Sequence, residues 1–571
     1  MRLKPRRSVT VGLLWLAPLV FLLLFYFYPL GSILKVSLER AQQGLLSPFL
    51  EAFRSPIPAR VLGFTIWQAI LSTVLTLLLG LPGAYLFAHY KFRGKSLLQA
   101  LTGIPFLMPT LVVAAAFNAL VGPSGWLNIG LMRLFHLGSP PIQFTNTLIA
   151  ILVAHVFYNT TIVLRMVGDF WSHLDPHFTQ AAHMLGASRF QAIRWVVLPM
   201  LAPAIAAAAL LVFIFDFTSF GVILILGGPH FSTLEVEIYY QTISLFNLPM
   251  AAVLSILQLL CTLGLTILYT RFSRRLSVPL SLKSRHVTQR QLSTPRTRLT
   301  AGLLITVLIA LLVLPLAALA IRSVSRLEPA LGQQASTNSG LTLDYYRQLN
   351  INRRQSIFYA PPSTAIGISL GYAFATTVLA LALGFPAALA LSRDYDTSLS
   401  RGLDAILMLP LGTSAVTLGL GFIVALDHPP LDLRASWILV PLAHTLVAFP
   451  FVVRNLTPAL RSIRPRLRQA AAMLGASPGK VFGYIDLPMI GRAALVAATF
   501  AFTISLGEFG ATSLIARPEY PTVPVAIYRL ISRPGEVNYG QALALSTILM
   551  LVAGTGMLLI DRLRFGETSE F

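Results

Sequence analysis

Long apolar blocks separated by short polar segments limit the folds open to this chain more than any other feature of its sequence. A hydrocarbon core about 30 Å thick is crossed by roughly 20 apolar residues in a helix. Blocks of that length lie near 11–34, 61–89, 98–121, 147–167, 200–226, 248–270, 301–321, 365–392, 404–426, 435–455, 490–516 and 540–560. Charged residues make up only 11% of the chain, against roughly 25% in a soluble domain. The pattern predicts an all-α polytopic membrane protein with about 12 transmembrane helices.

The chain is strongly basic, with a formal net charge of +22. The densest basic stretch is 271–298, which contains no acid. Cytoplasmic loops of membrane proteins are enriched in Lys and Arg, which also attract anionic lipid headgroups. We therefore expect cytoplasmic N- and C-termini and contact with membrane lipid, and we expect no nucleic-acid partner.

Several kinds of chemistry are excluded by the residues present. The one cysteine, Cys261, lies inside an apolar block, so no disulfide and no cysteine metal site is expected. The tripeptide at 94–96 resembles the end of a phosphate-binding loop, but His89 stands where the leading glycine should be. No convergent set of catalytic residues is present, so we expect no enzyme activity, no bound cofactor and no metal in this chain.

One loop sequence occurs twice in the chain. Gln180-Ala-Ala-His-Met-Leu-Gly-Ala-Ser recurs 289 residues later as Gln469-Ala-Ala-Ala-Met-Leu-Gly-Ala-Ser. Eleven of the 21 positions from 180 to 200 are identical to their counterparts. The register extends outward, since Ile238-Tyr239 matches Ile527-Tyr528. Further upstream the offset is 304, where Gly80-Leu-Pro matches Gly384-Phe-Pro. The chain therefore contains an internal duplication.

The duplication predicts the domain organisation. We expect a first half at 1–270, a basic cytoplasmic linker at 271–299 and a second half at 300–571, with six helices in each half. The repeated loops, 172–199 and 461–488, each follow the fourth helix of their half. An even number of helices separates the two copies, so both loops face the same side. The repeat is parallel, with its axis along the membrane normal.

The pattern Gln-Ala-Ala-x3-Gly-x9-Val/Ile-x-Leu-Pro resembles the "EAA" signature of type I, binding-protein-dependent ABC importer permeases. The resemblance implies short coupling helices that dock on two separate ATP-binding cassette subunits, which hold the ATP and Mg. It also implies an external substrate-binding protein and a place in the bacterial inner membrane. Family members usually have Glu where this chain has Gln. The positions carried over are Gln180, Ala181, Ala182, Gly186, Leu198 and Pro199 in the first loop and Gln469, Ala470, Ala471, Gly475, Leu487 and Pro488 in the second.

The residue types of the repeated loop suit such a docking helix. Two alanines leave a thin helix face that can enter a groove, at little cost in helix propensity. Gly186 and Gly475 permit a turn between short helices. Pro199 and Pro488 suit the opening turn of the next membrane helix, where the missing N–H costs nothing.

Two acids lie within apolar blocks, Asp216 and Glu508. At the offset of 289 residues Asp216 corresponds to Ser505, and Ser219 corresponds to Glu508, so each half has one acid and one serine three residues apart on one helix face. Acids at membrane depth are functional candidates. Two interpretations remain open: these four residues line the path of a cationic substrate, or they hold the helices together by hydrogen bonds.

The histidines His155 and His444 are counterparts in the middle of the fourth helix of each half. Hydrogen bonding between helices is the favoured interpretation, since a metal site would need further ligands close by. A secondary transporter of twelve helices would also have two parallel halves, but it has no ATPase to dock and no need of the repeated loop.

Over nearly its whole length, the chain resembles the fused double permeases of thiamine and ferric-iron importers. The segment 227–239, Gly-Gly-Pro-His-Phe-Ser-Thr-Leu-Glu-Val-Glu-Ile-Tyr, is most similar to thiamine permeases. The segment 505–510, Ser-Leu-Gly-Glu-Phe-Gly, is shared by both groups. The resemblance implies transport of thiamine or a phosphorylated thiamine, with ferric iron as the alternative.

Overall fold

The computed structural model describes residues 5–38, 54–275, 289–326, 340–351, 360–393, 398–427 and 431–565. The part of the predicted 271–299 linker from 276 to 288 lies outside the described residues. Within the described ranges the chain is built from α-helices, with a few π-helical and 3-10 turns and two strands of two residues each. The predicted all-α class is confirmed.

The helices that precede the linker include all the predicted spans of the first half. In chain order they are α1 Pro5–Leu22, α2 Tyr28–Leu38, α3 Pro56–His89, α4 Lys95–Leu107, α5 Thr110–Val121, α6 Trp126–Phe135, α7 Leu148–Ser172, α8 His177–Met184, α9 Arg189–Ala192, α10 Leu198–Phe217, α11 Leu234–Tyr239 and α12 Leu248–Arg275. Strand β1, Tyr90–Lys91, follows α3.

The helices of the second half follow the same order of long and short elements. They are α13 Pro295–Leu312, α14 Leu314–Ser323, α15 Asp344–Arg347, α16 Pro362–Arg393, α17 Ser398–Met408, α18 Ala415–Ala425, α19 Leu439–Ser462, α20 Pro465–Met473, α21 Pro478–Val481, α22 Leu487–Gly507, α23 Gly510–Ile515, α24 Val523–Ile531 and α25 Glu536–Phe565. Strand β2, Arg290–Gln291, precedes α13 and pairs in parallel with β1.

Eleven helices within the described ranges are long and apolar enough to cross a membrane, or twelve if one bent pair counts as a span. That pair is Leu399–Gly412 with Ala415–Ala425, and its axes differ by 95°. In the first half the third candidate span is Thr110–Phe135, which lies C-terminal to the predicted block at 98–121. The number of spans agrees with the sequence, whereas the position of the third span does not.

Proline and capping residues explain why the predicted third block is broken into two helices in both halves. Helix α4 ends at Leu107, and Pro109 precedes the start of α5. Proline has no N–H and disfavours helical geometry in the residue before it, so a continuous helix through this point is unfavourable. In the second half the break comes before α18, where the Ser414 hydroxyl accepts hydrogen bonds from the N–H groups of Val416 and Thr417.

The residues cluster by contact into two compact units. The first unit comprises Met1–Ala52, Ile238–Leu259 and Leu343–Phe571, and the second comprises Phe53–Glu237 and Leu260–Thr342. In the first unit α1 packs on α16 and α2 packs on α18. In the second unit α14 packs on α5. The opening span of each repeat thus packs on helices of the other repeat. The domain boundaries predicted at 1–270 and 300–571 do not include this exchange.

Single hydrogen bonds illustrate this exchange of opening spans. In the first unit the Tyr26 hydroxyl lies 2.6 Å from the Thr413 Oγ1, and both groups are buried. In the second unit Arg322, which is 4% exposed, donates from Nη2 to the Ser124 carbonyl at 2.7 Å. A buried polar group must find a partner, so these bonds fix where each opening span lies.

Close helix packing occurs at equivalent places in the two units. A Cβ added at Gly80 would lie 2.7 Å from the Cβ of Val163, and one added at Gly384 would lie 2.6 Å from Cγ1 of Val452. Small residues let membrane helices approach closely, because lipid provides no hydrophobic force between helices. The second and fourth long helices of each half therefore pack closely against each other in their unit, where alanines such as Ala84 and Ala388 are fully buried.

Candidate functional sites: two repeated loops and two buried polar clusters

The two repeated loops have the same local structure. Helix α8 ends at Met184 and α20 ends at Met473. In the first loop Gly186 N–H donates to the His183 carbonyl and Ala187 N–H donates to the Ala182 carbonyl, both at 3.0 Å. The second loop repeats these bonds, at 3.1 and 3.0 Å, between counterpart residues. The two bonds define a Schellman turn, which satisfies the last carbonyls of each short helix.

Glycine is required in this turn by its backbone conformation rather than by space. The φ angle is +85° at Gly186 and +81° at Gly475. A Cβ at either position would meet nothing within 4 Å. The predicted role of these two glycines as turn residues between short helices is confirmed.

The end of each short helix exposes a pair of large apolar side chains. Met184 and Leu185 are 89% and 88% exposed, and their counterparts Met473 and Leu474 have the same two values. Exposed apolar patches of this kind mark surfaces that bind a partner. The loop motif predicted a role for the glutamine and alanines but not for this Met-Leu pair, although the pair is repeated in both copies.

The entry into the fifth span differs from the prediction for the two prolines. Helices α10 and α22 begin at Leu198 and Leu487, with proline in the first turn as expected. The preceding residues, however, continue as π-helical turns at Ile193–Val197 and Phe482–Asp486. The prolines therefore lie inside continuous helical segments rather than at their free ends. A π turn shifts the hydrogen bonding by one residue, which accommodates the missing N–H.

Polar contacts of the two loops are not identical. In the first loop His177 Nδ1 lies 3.0 Å from Gln180 Oε1. In the second loop Arg468 donates from Nε to Asp486 Oδ1 at 2.7 Å, and this carboxylate is 4% exposed. The counterparts of Arg468 and Asp486 are Thr179 and Val197, so the ion pair belongs to the second loop.

The second unit contains a buried polar cluster around His155. His155 Nε2 lies 2.8 Å from Ser219 Oγ, and its Nδ1 lies 3.0 Å from Ser72 Oγ and 3.4 Å from Asp216 Oδ1. Asn159 donates from Nδ2 to the same Asp216 oxygen at 2.7 Å. The other carboxylate oxygen, Oδ2, is buried and has no hydrogen-bond partner among the described residues. The cluster joins α3, α7 and the C-terminal end of α10.

The first unit contains the counterpart cluster around His444. His444 Nδ1 lies 2.7 Å from Ser505 Oγ, which donates to Thr376 Oγ1 at 3.2 Å. His444 Nε2 lies 2.7 Å from Thr512 Oγ1 and 3.2 Å from Glu508 Oε2. Glu508 also accepts hydrogen bonds from the N–H groups of Ala511 at 2.8 Å and of Thr512 at 3.1 Å. Its carboxylate thereby caps the start of α23.

The two clusters use equivalent positions with the acid and the serine exchanged. Ser72 and Thr376 are counterparts at the offset of 304, and His155 and His444 are counterparts at 289. Where the acid is Asp216, its additional donor is Asn159, and where it is Glu508, its additional donor is Thr512. Hydrogen bonding of the histidines between helices, favoured from the sequence, is confirmed.

The role of the acids in the path stays a prediction. Asp216 and Glu508 are 1% and 7% exposed, and their contacts lie within their own units. These contacts support the second of the two interpretations from the sequence, hydrogen bonding that holds the helices. The sequence did not predict Ser72, Thr376 and Asn159, which are ordinary polar residues of long helices until the fold places them in the two clusters.

Two repeats of long apolar helices, each with an exposed loop after its fourth span, are the arrangement of a multi-pass membrane transport subunit. The chain matches the family described as "Binding-protein-dependent transport system inner membrane component" over residues 77–278 and 377–563. These matches cover more than half of the chain and fall once in each repeat. The chain belongs to this family of inner-membrane transport subunits.

Individual relatives are similar along nearly the whole chain. The thiamine transport system permease protein ThiP of Brucella abortus is 30% identical over 527 residues, which cover 90% of this chain and 89% of the relative. The protein of the same name from Escherichia coli is 26% identical, with 88% of each chain covered. A probable ABC transporter permease protein of Sinorhizobium fredii, y4fN, is 25% identical with 97% of each chain covered.

Proposed function

We propose that this chain is the membrane-spanning subunit of an ABC importer for thiamine or a phosphorylated thiamine. The observation that carries the cargo assignment is the similarity to thiamine permeases along about nine-tenths of the chain, at 30% identity. The segment 227–239, which follows the fifth span of the first half, supports the same assignment. Ferric iron is the alternative cargo that the sequence also suggested.

Energy for transport is proposed to come from two separate ATP-hydrolysing subunits that hold ATP and Mg. Each would dock on one of the repeated loops, 172–199 and 461–488. The support for this part of the proposal is the pair of exposed apolar tips, Met184-Leu185 and Met473-Leu474, in identical turns. A short helix that ends in an exposed apolar pair fits a groove on a partner, as other helix-in-groove contacts do.

The proposed orientation places both termini and both loops in the cytoplasm. The basic stretch at 271–298 supports this orientation, since Lys and Arg are retained on the cytoplasmic side. An external binding protein would then deliver the cargo to the opposite face. Closure of the two ATPases on the two loops would rock the repeats and open the path first outward and then inward.

Uptake of labelled cargo tests the function directly. The chain is expressed with its ATPase and binding-protein partners in a bacterium that lacks its own thiamine synthesis and thiamine uptake. We expect ATP-dependent accumulation of labelled thiamine and growth at low external thiamine. A matched strain with an ATPase partner that binds but does not hydrolyse ATP should accumulate none. Accumulation of ferric iron and not of thiamine would replace the proposed cargo with the alternative.

A further inference from the structure

Tyr239 and Tyr528 occupy equivalent positions in the two repeats, and their side chains contact each other. Ile238-Tyr239 recurs as Ile527-Tyr528 at the offset of 289 residues. Both tyrosines belong to the first compact unit, where the two hydroxyl groups lie within hydrogen-bonding reach of one another. Tyr239 is 8% exposed, and the isoleucine before each tyrosine is fully buried. A residue that contacts its own counterpart lies where the two copies of its segment meet.

Two further aromatic rings extend this contact. The Tyr528 ring centroid lies 5.5 Å from that of Phe509, and the Tyr239 centroid lies 5.9 Å from that of Tyr240. Phe509 directly follows Glu508, whose carboxylate caps α23 and contacts His444. The tyrosine pair is thus connected to the buried cluster of the first unit by a short run of chain and ring contacts.

The helices that present the tyrosines are too short to span a membrane. Helix α11 has six residues and α24 has nine. They lie between the fifth and sixth long helices of their repeats. Within a bilayer, segments other than spanning helices are found where protein buries them or where they line a cavity. In a transporter made of parallel repeats, a path along the repeat axis receives the same residues from both copies. The tyrosine pair satisfies this condition.

We propose that Tyr239 and Tyr528 close the transport path with their hydroxyl contact, and that the cargo is a flat aromatic cation that passes against their ring faces when the contact opens. The closure argument depends on the repeat geometry. The class of cargo rests on the proposed thiamine function, because the thiazolium ring of thiamine carries a fixed positive charge. Tyrosine faces attract cations within about 6 Å of the ring centroid.

A hydrogen bond between two neutral hydroxyls suits a contact that must open in every cycle. Its net stabilisation is small, because each hydroxyl finds another acceptor or donor when the contact breaks. An ion pair in the same place would leave two unpaired charges in a poorly hydrated passage whenever the path opened. The rings remain available to the cargo after the hydroxyls separate.

Cross-linking tests the closure. Cys261, the one native cysteine, is replaced by serine, and Tyr239→Cys and Tyr528→Cys are introduced together. A protease site within 276–288 lets the two repeats be separated on a gel. We expect the fragments to be joined in the resting complex by a reducible bifunctional thiol reagent whose length matches the distance that the two tyrosine side chains bridge. Joining should fall when loaded binding protein is present and ATP hydrolysis is trapped with vanadate.

Function is measured on the same cross-linked protein. Uptake should stop after cross-linking and return after reduction, whereas either single cysteine variant should keep its uptake after the same treatment. Failure of the pair to cross-link, or full uptake by the cross-linked protein, would overturn the proposed closure. These readouts do not depend on which cargo is carried, so a wild type that fails to take up thiamine would overturn the proposed function instead.

Substitutions test the contact with the cargo. Tyr239→Phe and Tyr528→Phe each remove the same hydrogen bond, so the double variant should leak cargo no more than either single variant, about tenfold at most above wild type. Tyr→Leu variants at both positions lose the ring faces, and the maximal uptake rate of thiamine should fall about twofold to thirtyfold. The concentration of loaded binding protein that gives half-maximal uptake should not change.

A matched control removes a tyrosine hydroxyl that is not part of this contact. Tyr269 lies near the C-terminal end of α12, and Tyr269→Phe should leave leak and uptake at wild-type levels. Additive leak in the two Phe variants would show that their hydroxyls do not share one bond and would overturn the closure. Equal uptake rates in the Leu and Phe variants would overturn the cargo contact.

Discussion

The two glycines of the repeated loops are required because of their backbone conformation. At φ values near +80° an L side chain is strained by about 1–2 kcal/mol, although the space around Gly186 and Gly475 is open. The sequence suggested a turn glycine at both places, because glycine permits a turn between the short helices of the repeated loop. The structure adds that strain, and not a clash, is what a substitution would introduce.

Replacement of both loop glycines should uncouple transport without unfolding the protein. We expect Gly186→Val with Gly475→Val to distort the Schellman turns and to reduce uptake strongly, while the variant remains folded in the membrane. Uptake and ATP hydrolysis are measured together on the reconstituted complex. Gly479→Val is the matched control, because Gly479 lies in the second loop, has open space and has no left-handed φ. Unimpaired uptake by the double variant would contradict the coupling assignment.

The two buried acids differ in how many hydrogen bonds they accept, which predicts different sensitivities. Both oxygens of Glu508 accept hydrogen bonds, whereas Oδ2 of Asp216 has no partner among the described residues. Glu508→Gln should therefore destabilise the protein by about 1–3 kcal/mol, and Asp216→Asn by less than about 1 kcal/mol. Thermal unfolding in detergent measures the difference.

Uptake by the same two variants separates the interpretations that the sequence left open. If the acids only hold helices together, any folded variant should carry a cationic cargo at the wild-type rate. A folded Asp216→Asn variant with much slower uptake would instead support a role in the path. Equal destabilisation by the two amides would contradict the hydrogen-bond difference described here.

At the scale of elements, the short helices α8 and α20 expose the same apolar tip, and their function as docking helices depends on it. Replacement of Met184, Leu185, Met473 and Leu474 by serine should abolish co-purification of the ATPase partners, because burial of a Met or Leu side chain contributes about 1.5–3 kcal/mol. The membrane subunit itself should fold, since these side chains contact little of it.

Exposed apolar residues elsewhere provide the control for the loop tips. Leu134 and Phe135, which are 71% and 63% exposed at the end of α6, are changed to serine in a second variant. That variant should still bind the ATPase subunits. Loss of ATPase binding in both variants would show that the effect is not specific to the repeated loops.

At the scale of the whole molecule, each compact unit contains residues from both sequence halves. Helices α1 and α2 pack on α16 and α18, and α14 packs on α5. Cleavage at a protease site placed within 276–288 should therefore leave the two fragments associated, and transport should continue. Co-purification of the fragments in mild detergent is the measurement. Separation of the fragments would contradict the exchange of opening spans.

The sequence by itself determined the class of fold, the number of spans, the duplication and the turn glycines, because long apolar blocks and a repeated motif are local or periodic signals. It also indicated Asp216, Glu508 and the two histidines, since polar groups in apolar blocks are conspicuous. It placed the third span of the first half too early, because an apolar run does not show where Pro109 breaks the helix.

Only the tertiary structure decided which residues meet. It paired His155 with Ser72, linked His444 to Thr376 through Ser505, packed each opening span on the other repeat, and brought Tyr239 to Tyr528. These contacts join residues far apart in the chain, and most of their members are ordinary polar or aromatic residues of helices. Their pairing depends on helix packing in three dimensions, which no local pattern in the sequence encodes.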